Sequence, residues 1–456
     1  MTADLPRLAV IGLGKLGSPM AACFAAKGFD VVGVDLNEDF VDAVNSGRAP
    51  VYEPQLDEMI RAASGRLQAT TSTGEAVAAS DVTFLIVPTP SEDDGTFSLR
   101  YVLDACEDVG AALRERDGFP VVCLTSTVMP GATGGPVRDA LEAASGKRAG
   151  VDFGLCYSPE FIALGSVVRD FLNPDFLLLG ESDERAGDIV SSIYARTVEN
   201  EAPVARMTFV NAELAKIAVN TYVTTKITFA NMLARICERL PEADVDVVAN
   251  ALGLDSRIGR KYLTGAVAYG GPCFPRDNVA LGTLARSLGA PALLAEATDR
   301  ANRDDVQRLA DLTESFLPEE GRVAVLGLAY KPETNVVEES VGLHLALELA
   351  ARGREVAAHD PAAIDTAQRS LTGVDVILAN TVVEAVADAD VVVVTTPWKE
   401  FADLSSAYDR NARTSAVIDC WRIIDRASLP DHVTYVPLGA TLPSPNREPS
   451  AFQRMS

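Results

Sequence analysis

Histidine and paired cysteine are both scarce in this sequence. It holds three histidines, His344, His359 and His432, each in a different setting, and its seven cysteines never form a CxxC pair. This disfavours a histidine-dependent catalytic triad, a disulfide framework and a Cys- or His-rich metal centre, and we expect no metal site. If the protein is an enzyme, its proton chemistry must use lysine, aspartate, glutamate, cysteine or an ordered water.

Basic residues and long apolar runs are also few. Lysine and arginine number 40 against 64 aspartates and glutamates, so the formal net charge is −24 at pH 7. Such a surface repels phosphate backbones and anionic lipid, which argues against nucleic acid and membrane as partners. No apolar run reaches the roughly 18 residues of a membrane span, and residues 1–7 do not have the pattern of a signal peptide. We therefore expect a soluble protein of the reducing cytoplasm.

The N-terminal part of the chain has the pattern of a doubly wound α/β domain. Residues 7–12 predict a buried strand, the turn GLGKLG follows, and an apolar helix to Lys27 leads into a second strand ending at Asp35. Two further continuously apolar runs, near residue 81 and at 119–131, predict more buried parallel strands.

The C-terminal part repeats this pattern. RVAVLGL at 322–328 and REVAAHD at 354–360 predict strands on either side of a helix, and ADVVVVTTPW at 389–398 predicts another strand. We therefore predict an α/β fold with two doubly wound Rossmann-like domains. The 456 residues suggest about three domains. The predicted boundaries are 1–204 for the N-terminal domain, 205–305 for a central helical domain, 306–445 for the C-terminal domain and 446–456 for a loose tail.

The central segment lacks strand signals between residues 205 and 300. Residues 211–240 predict one helix of about thirty residues that joins the two domains. Apolar positions continue along more than one face of this helix, and a long linking helix of this kind commonly packs against a symmetry mate. We therefore predict a homodimer that forms through the central helix.

A dinucleotide-binding pattern opens the chain. Gly12, Gly14 and Gly17 form GxGxxG between a strand and a helix, which permits a tight turn, close approach to a pyrophosphate and close helix packing. Asp35 closes the next strand, where it would accept from a ribose 2′-hydroxyl and repel a 2′-phosphate, so we predict NAD rather than NADP. An FAD-binding or nucleotide-free Rossmann domain is the alternative. The later GLAYK turn lacks the third glycine, and no second dinucleotide site is expected there.

The segment AYGGPCFPRDN at 268–278 is the strongest single feature. Cys273 lies there among glycines and prolines, which predicts a rigid, irregular loop rather than a core helix. Arg276 would favour a thiolate, and Asp277 is placed to act as a base or to order a water. We interpret Cys273 as a nucleophile and the other six cysteines as small buried hydrophobic residues.

Further polar residues are candidates for catalysis or ligand binding, and some of them also have an ordinary structural interpretation. Lys216 and Asn220 share one helix face and together suit an alcohol or oxyanion, although each alone fits an ordinary surface or interhelical role. Glu160 follows a strand-like stretch and is either a catalytic carboxylate or a helix N-terminal acid. Ser126 and Thr127 lie at the carboxyl end of a strand, where doubly wound sheets bind ligands.

Taken together, these segments resemble the UDP-glucose/GDP-mannose dehydrogenase family. The similarity runs from about residue 7 to 440 in the family's order: VIGLGKLG, VYEP, STV, PEF, the Lys216–Asn220 helix, GGPCFPRD and GLAYK. The cysteine loop and the Lys–Asn helix in one chain are specific to that family. The resemblance implies NAD-dependent, four-electron oxidation of a nucleotide hexose at C6 to the uronic acid.

The resemblance also implies a role for each matching residue. Cys273 would carry a thiohemiacetal and then a thioester. Lys216 and Asn220 would stabilise oxyanions, Asp277 and Thr127 would order water, and Glu160 would be the base of hydrolysis. The cofactor residues would be Gly12, Gly14, Leu16, Gly17, Asp35, Pro88, Thr89, Ser126, Thr127 and Arg276. The substrate residues would be Phe161, Ile162, Leu164, Lys216, Asn220, Arg257, Tyr262, Tyr269, Gly270, Lys331 and Arg422, with Arg257 reaching a neighbouring subunit.

Three positions depart from the family pattern. Leu164 replaces a common second glutamate after PEF, Glu338 replaces an arginine, and Trp421 stands where a smaller or basic residue is frequent. UDP-glucose is the first substrate expected, dTDP-glucose the second, and UDP-N-acetylhexosamine or GDP-mannose the third. The competing hypotheses are a two-electron β-hydroxyacid or phosphogluconate-type dehydrogenase, which would not need Cys273, and a non-catalytic nucleotide sensor on the same scaffold.

Overall fold

Continuously apolar runs become the strands of two largely parallel sheets. The computed structural model describes residues 5–63, 65–408 and 413–442. All residues of the central strands are buried, as expected where helices cover both faces of a sheet. The strands are β1 (Leu8–Ile11), β2 (Val31–Val34), β3 (Leu67–Thr70), β4 (Val82–Leu85), β5 (Val121–Leu124), β6 (Gly154–Tyr157), β7 (Leu177–Glu181), β8 (Val204–Met207), β9 (Arg322–Leu326), β10 (Glu355–His359), β11 (Val376–Leu378), β12 (Val391–Val394), β13 (Ala416–Asp419) and β14 (Thr434–Pro437).

Helices separate the strands along the chain. Several begin at a side chain that caps backbone N–H groups, as Asn37, Ser72 and Asp183 do. The helices are α1 (Gly17–Ala26), α2 (Glu38–Asn45), α3 (Leu56–Ala62), α4 (Thr73–Ala78), α5 (Arg100–Arg114), α6 (Arg138–Ser145), α7 (Val167–Leu172), α8 (Glu184–Thr197), α9 (Phe209–Cys237), α10 (Val245–Gly253), α11 (Phe274–Ser287), α12 (Leu293–Glu314), α13 (Val341–Ala351), α14 (Ile364–Ser370), α15 (Val382–Val386) and α16 (Ser405–Tyr408). Short helical turns lie at Thr133–Val137, Lys399–Ala402 and Arg426–Ser428.

The chain divides into two compact units. The first comprises residues 1–219 and 279–291, and the second comprises 220–278 and 292–456. The sheet of the first unit has the order β3-β2-β1-β4-β5-β6-β7-β8, parallel except between β6 and β7. The sheet of the second has the order β11-β10-β9-β12-β13-β14 and its pairs are parallel. Both contain the 3-2-1-4-5-6 order of a Rossmann sheet, so the predicted fold class is confirmed.

The central helix forms as predicted. α9 runs without interruption for 29 residues, from Phe209 to Cys237. The prediction that residues 205–300 contain no strand was wrong at its start, because Val204–Met207 forms β8 and pairs with β7. This edge strand alternates exposed and half-buried residues, so it lacks the apolar run that identified the others. It extends the first sheet three residues past the predicted boundary at 204.

The glycines that bend the chain after β1 have counterparts after β9. A Cβ on Gly17 would lie 1.8 Å from the carbonyl oxygen of Gly12, and a Cβ on Gly342 would lie 1.8 Å from that of Gly327. In each pair, the absence of a Cβ allows the first turn of the helix (α1 or α13) to pack closely against the end of the preceding strand (β1 or β9). The GLAYK segment itself has no third glycine, but Gly342, further along the sequence, fills the same packing role in the second unit.

Two further points concern the chain as a whole. No helix in the described part of the chain is both long and apolar enough to cross a bilayer. The tail predicted at 446–456 lies outside the described residues.

Candidate active site

The glycine turn after β1 is shaped to receive a pyrophosphate. Gly12 has a φ of 97°, and a Cβ there would lie 2.0 Å from the carbonyl oxygen of Ile86. A Cβ on Gly14, in contrast, would meet no protein atom within 4 Å. Gly14 therefore opens onto unfilled space at the start of α1, where unpaired N–H groups and the helix dipole attract phosphate. Leu16 is the residue that immediately precedes this helix.

Asp35 lies at the carboxyl end of β2 and faces the same turn. Its Oδ2 accepts from the backbone N–H of Leu13 at 2.8 Å, and its Oδ1 accepts from Asn37 at 2.9 Å. The carboxylate is only half-buried, so it keeps lone pairs for a ribose. This geometry fits NAD.

The corresponding acid of the second unit is fully engaged. Asp360 is buried and accepts from the N–H groups of Leu328 and Ala329 and from the indole of Trp398. Two further backbone N–H groups donate to its other oxygen at 2.9 Å. These five donors occupy the acceptor sites of its two oxygens.

The carboxyl ends of β4 and β5 are tied to one another. The hydroxyl of Ser126 accepts from the N–H of Val87 at 2.9 Å and donates to its carbonyl at 2.7 Å. Thr89 donates to the carbonyl of Thr127 at 2.8 Å. The hydroxyls of Ser126 and Thr89 thus shape the loops, while Pro88 is exposed and Thr127 is half-buried beside them.

Glu160 is a buried carboxyl group just beyond the end of β6. Tyr194 donates its hydroxyl to Glu160 Oε1 at 2.8 Å, and Ser158 donates to the hydroxyl of Tyr194 at 3.2 Å. Burial raises the pKa of Glu160 to about 7, against the lowering effects of Tyr194 and of the charge on Lys216. A carboxyl group with this pKa exchanges protons near neutral pH, which suits a general base.

Lys216 is held beside this group. Its ammonium donates to the backbone carbonyl of Glu160 at 2.5 Å and lies 4.4 Å from the ring centre of Phe161. The side chain is buried, so the carbonyl and the ring replace the water that the ammonium gave up. One helical turn later on α9 stands Asn220, on the same side of the helix as predicted.

The cysteine loop is seated on the GLAYK loop. A Cβ on Gly270 would lie 2.2 Å from the carbonyl oxygen of Glu339, and Gly271, with a φ of 85°, would press a Cβ against the ring of Tyr330. The N–H of Gly271 donates to the carbonyl of Glu338 at 3.0 Å. The two glycines are therefore needed for this close approach.

Cys273 is exposed and immediately precedes α11. Its carbonyl accepts from the N–H of Asp277 at 2.9 Å, so it stands at the N-terminal end of the helix, where the dipole favours an anion. The other six cysteines are buried. Burial raises the pKa of Cys23 and of Cys106 to about 12, which keeps these thiols protonated and inert.

Asp277 and Asn220 meet in the second unit. The side-chain amide of Asn220 donates to Asp277 Oδ2 at 2.6 Å, and Asp277 is buried. Next to it, Asn278 donates to the hydroxyls of Thr224 and Tyr269 at 2.8 and 3.2 Å. The start of α11, directly after the cysteine, thus holds the carboxylate of Asp277 and the amide of Asn278, and Asn220 of α9 bonds to that carboxylate.

The residues assigned to the substrate by resemblance have different surroundings. Phe161 stacks on Phe176, with ring centroids 4.8 Å apart, and Ile162 and Leu164 follow in the same loop, both half-buried. Arg257 has an 86% exposed side chain that pairs with Asp255.

The remaining assigned residues belong to the second unit. Tyr262 is 49% exposed with a φ of 66°. Tyr269 is buried, and both its backbone N–H and its carbonyl bond to the side chain of Asn302. Lys331 is half-buried near the ring of Tyr330.

The side chains of Arg422 and Trp421 form hydrogen bonds within the second unit. The guanidinium of Arg422 makes two hydrogen bonds to Asp246, at 2.7 and 2.9 Å, and one to the carbonyl of Leu438. The indole of Trp421 donates to the carbonyl of Thr395 at 2.8 Å. The guanidinium of Arg422 therefore joins β13 and β14 to α10 in this conformation.

The predicted catalytic residues divide between the two units. Thr127, Glu160 and Lys216 belong to the first, and Asn220, Cys273 and Asp277 belong to the second, as does Arg276. Sequence reasoning missed Tyr194, which touches Glu160, and Glu213, which is buried and accepts from two backbone N–H groups of the loop after β5. Neither lies in a recognisable motif. For Glu213, its position one turn before Lys216 was the only signal.

Comparison with known proteins decides the family. Three models of the UDP-glucose/GDP-mannose dehydrogenase family match the chain: the NAD binding domain at 6–198, the central domain at 210–304 and the UDP binding domain at 324–426. The chain belongs to this family.

Individual relatives agree over nearly the full length. A UDP-glucose 6-dehydrogenase of Haloferax volcanii is 38% identical over 94% of this chain and 100% of its own. A GDP-mannose 6-dehydrogenase of Pseudomonas syringae is 32% identical over 93% of this chain and 98% of its own. The structure of a UDP-glucose dehydrogenase from Pyrobaculum islandicum has 34% identity and a TM-score of 0.87, covering 96% of this chain and 99% of its own.

Membership of the UDP-glucose/GDP-mannose dehydrogenase family confirms several predictions. The chain is an NAD-dependent oxidoreductase of the nucleotide-sugar 6-dehydrogenase type. The predicted cofactor, NAD, is confirmed, and the UDP binding domain indicates a nucleotide-sugar substrate.

Proposed function

We propose that this dehydrogenase oxidises UDP-glucose at C6 to the uronic acid, in four electrons, through a covalent intermediate on Cys273. The observation that carries the proposal is the setting of Cys273: it is the exposed cysteine, it precedes α11, and Asp277 in the first turn of that helix accepts a hydrogen bond from Asn220 of α9. A two-electron dehydrogenase has no use for a nucleophile so placed.

The first oxidation turns the C6 alcohol into an aldehyde. Lys216 and Asn220 hold the C6 oxygen and stabilise its negative charge as its proton leaves. Bound NAD⁺ supplies the hydride acceptor for both oxidations. The thiolate sulfur of Cys273 then forms a bond to the aldehyde carbon, and the carbonyl oxygen takes a proton to give a thiohemiacetal.

Hydrolysis releases the product. The second oxidation leaves a thioester on Cys273. Glu160 takes a proton from water while the water oxygen adds to the thioester carbon, and the carbon–sulfur bond breaks with Cys273 leaving as the thiolate. Asp277 and Thr127 order that water. Overall, one alcohol, one water and two NAD⁺ give one carboxylate, two NADH and three protons.

UDP-glucose is favoured over other nucleotide sugars by two findings. UDP-glucose 6-dehydrogenases stand among the more similar relatives, and the solved structure with the TM-score of 0.87 is a UDP-glucose dehydrogenase. GDP-mannose 6-dehydrogenases are also similar. Leu164, in the loop after β6, bears an apolar side chain where the family commonly has a glutamate, and it is a candidate for tuning sugar preference.

We also propose that the protein acts as a homodimer in the cytoplasm. Along one side of α9, four large apolar residues are exposed at a spacing of seven, three and four: Tyr222, Phe229, Met232 and Ile236. Beside them, a cavity of about 270 Å³ opens between α9 and the start of α12. A stripe of this kind on a helix is typical of an interface.

Counting products tests the proposal. Purified protein is mixed with NAD⁺ and, separately, with UDP-glucose, dTDP-glucose, GDP-mannose and UDP-N-acetylhexosamines, and NADH formed per sugar consumed is measured. We expect two NADH per UDP-glucose. We expect Cys273→Ser to lower uronate formation at least about 1,000-fold while NAD binding persists.

Cys106→Ala is the matched control, because Cys106 is buried in α5 and is expected to leave the stoichiometry at two. One NADH per sugar would favour a two-electron dehydrogenase. Turnover of another nucleotide sugar alone would overturn UDP-glucose as substrate. Normal uronate formation by Cys273→Ser would remove the covalent intermediate.

A further inference from the structure

Glu53, the carboxylate of the VYEP segment, has no part in the chemistry above. It lies just before α3 and is 8% exposed. A buried carboxylate is stable only where donors replace its lost water. Its two oxygens accept from the backbone N–H groups of Gly165 and Val167, both at 2.8 Å. Glu53 thus binds a segment more than 100 residues away in the sequence.

That segment is the loop between β6 and α7. It begins with Glu160, continues through Phe161, Ile162 and Leu164, and turns at Gly165, whose φ is 84°. Within the loop, Asp170 accepts from the N–H of Ala163 at 3.2 Å. Asp170 also accepts from the hydroxyl of Ser166 at 2.7 Å, so two carboxylates hold the second half of the loop, and Glu53 is the one that binds the backbone N–H groups of Gly165 and Val167.

The loop after β5 is held by the same device. Glu213, fully buried on α9, accepts from the N–H groups of Gly131 and Thr133 at 2.6 and 2.7 Å. Each of these loops, which carry Thr127 and Glu160, is therefore fixed by a buried carboxylate that binds two backbone N–H groups. Hydrogen bonds to an ionised acceptor are stronger and more directional than neutral ones.

We propose that Glu53 is a positioning residue that sets the conformation in which the 161–167 loop meets the sugar of the substrate. This inference rests on the proposed function, since it takes the substrate to be a nucleotide sugar. Glu53 itself touches neither substrate nor cofactor; it acts through Phe161, Ile162 and Leu164.

Glu53→Gln tests the inference without changing the size of the side chain. The amide keeps one accepting oxygen but turns an NH₂ group toward an N–H donor, so one of the two bonds is lost. Asp57→Asn is the matched control, because Asp57 lies in the same segment and accepts from the N–H of Ala49 at 2.7 Å, without reaching the loop.

Four quantities are measured on the parent, Glu53→Gln and Asp57→Asn. In Glu53→Gln we expect amide hydrogen exchange of residues 161–172 in the ligand-free protein to rise about ten-fold. We expect its KM for UDP-glucose to rise about ten-fold, while its KM for NAD⁺ and its kcat stay within about two-fold of the parent. Asp57→Asn should match the parent in all four.

Results that differ from these expectations would each overturn a particular claim. Unchanged loop exchange or an unchanged KM for UDP-glucose in Glu53→Gln overturns the positioning role. A rise of both KM values together assigns Glu53 a general structural role instead. If the parent itself oxidises none of the nucleotide sugars, the proposed function fails, and with it the assignment of this loop to a sugar, whatever the exchange data show.

Discussion

At the scale of single residues, the surroundings of Glu160 shift its pKa. Burial raises its pKa to about 7, and the hydroxyl of Tyr194 is the largest influence that lowers it. The Tyr194 hydroxyl is a donor, so it stabilises the ionised carboxylate, the form that accepts a proton from water in the proposed mechanism. One hydrogen bond thus helps to set the pH at which Glu160 ionises and could act as the proposed base.

Tyr194→Phe should move that pH upward. Without the donor the ionised form is less stable, so the pKa of Glu160 rises further. When the pH is lowered, the variant should therefore lose hydrolysis at a higher pH than the parent does. A bond of about 1 kcal/mol corresponds to a shift of roughly 0.7 pH unit. The measurement is the pH dependence of kcat for uronate formation. Glu160→Gln serves as control and should lack this acidic limb; an unmoved limb in Tyr194→Phe would contradict the assignment.

At the scale of elements, the turn between β1 and α1 contains a glycine required by packing and a glycine that we propose is required for NAD binding. Gly17 is required by packing, because a Cβ would collide with the carbonyl of Gly12, whereas Gly14 opens onto empty space. Both belong to one motif, yet they have different physical reasons for being glycine.

Alanine at each position should therefore give different results. Gly17→Ala should lower the melting temperature and weaken NAD⁺ binding, since the helix must shift away from the strand. Gly14→Ala should melt like the parent and still bind NAD⁺ at least about ten-fold more weakly, because its methyl group fills the approach of the pyrophosphate. Thermal melting and calorimetric titration measure both. Parental NAD⁺ affinity in Gly14→Ala would refute the assignment of this turn to the pyrophosphate.

At the scale of the whole molecule, the exposed apolar stripe of α9 calls for a covering surface. Phe229 and Ile236, two helical turns apart, are 45% and 46% exposed. Water contact with such a stripe is unfavourable by about 25 cal/mol per Å² of apolar surface, which a second copy of the helix would remove.

The double variant Phe229→Asp, Ile236→Asp should therefore be a monomer where the parent is a dimer. Light scattering after size exclusion gives the mass directly. Val151→Asp, a change at an equally apolar residue that is 65% exposed in the first unit, should stay dimeric. A parent that runs as a monomer, or a double variant that stays dimeric, would rule out this interface.

The sequence by itself determined the features that depend on neighbours in the chain. Buried strands, the GxGxxG turn, the long helix and the cysteine loop each follow from local composition and spacing, and family resemblance suggested the roles proposed for Lys216 and Glu160. Edge strand β8 was missed, because its alternating exposure leaves no apolar run.

Only the tertiary structure decided which distant groups meet. Tyr194 reaches Glu160 across 34 residues, Glu53 reaches Gly165 across 112, and Gly342 packs against the carbonyl of Gly327. The physical reason is common to all three. The donors of a buried carboxyl group, and the backbone against which a helix packs, can come from any part of the chain that the fold brings close. Spacing along the sequence therefore does not predict them.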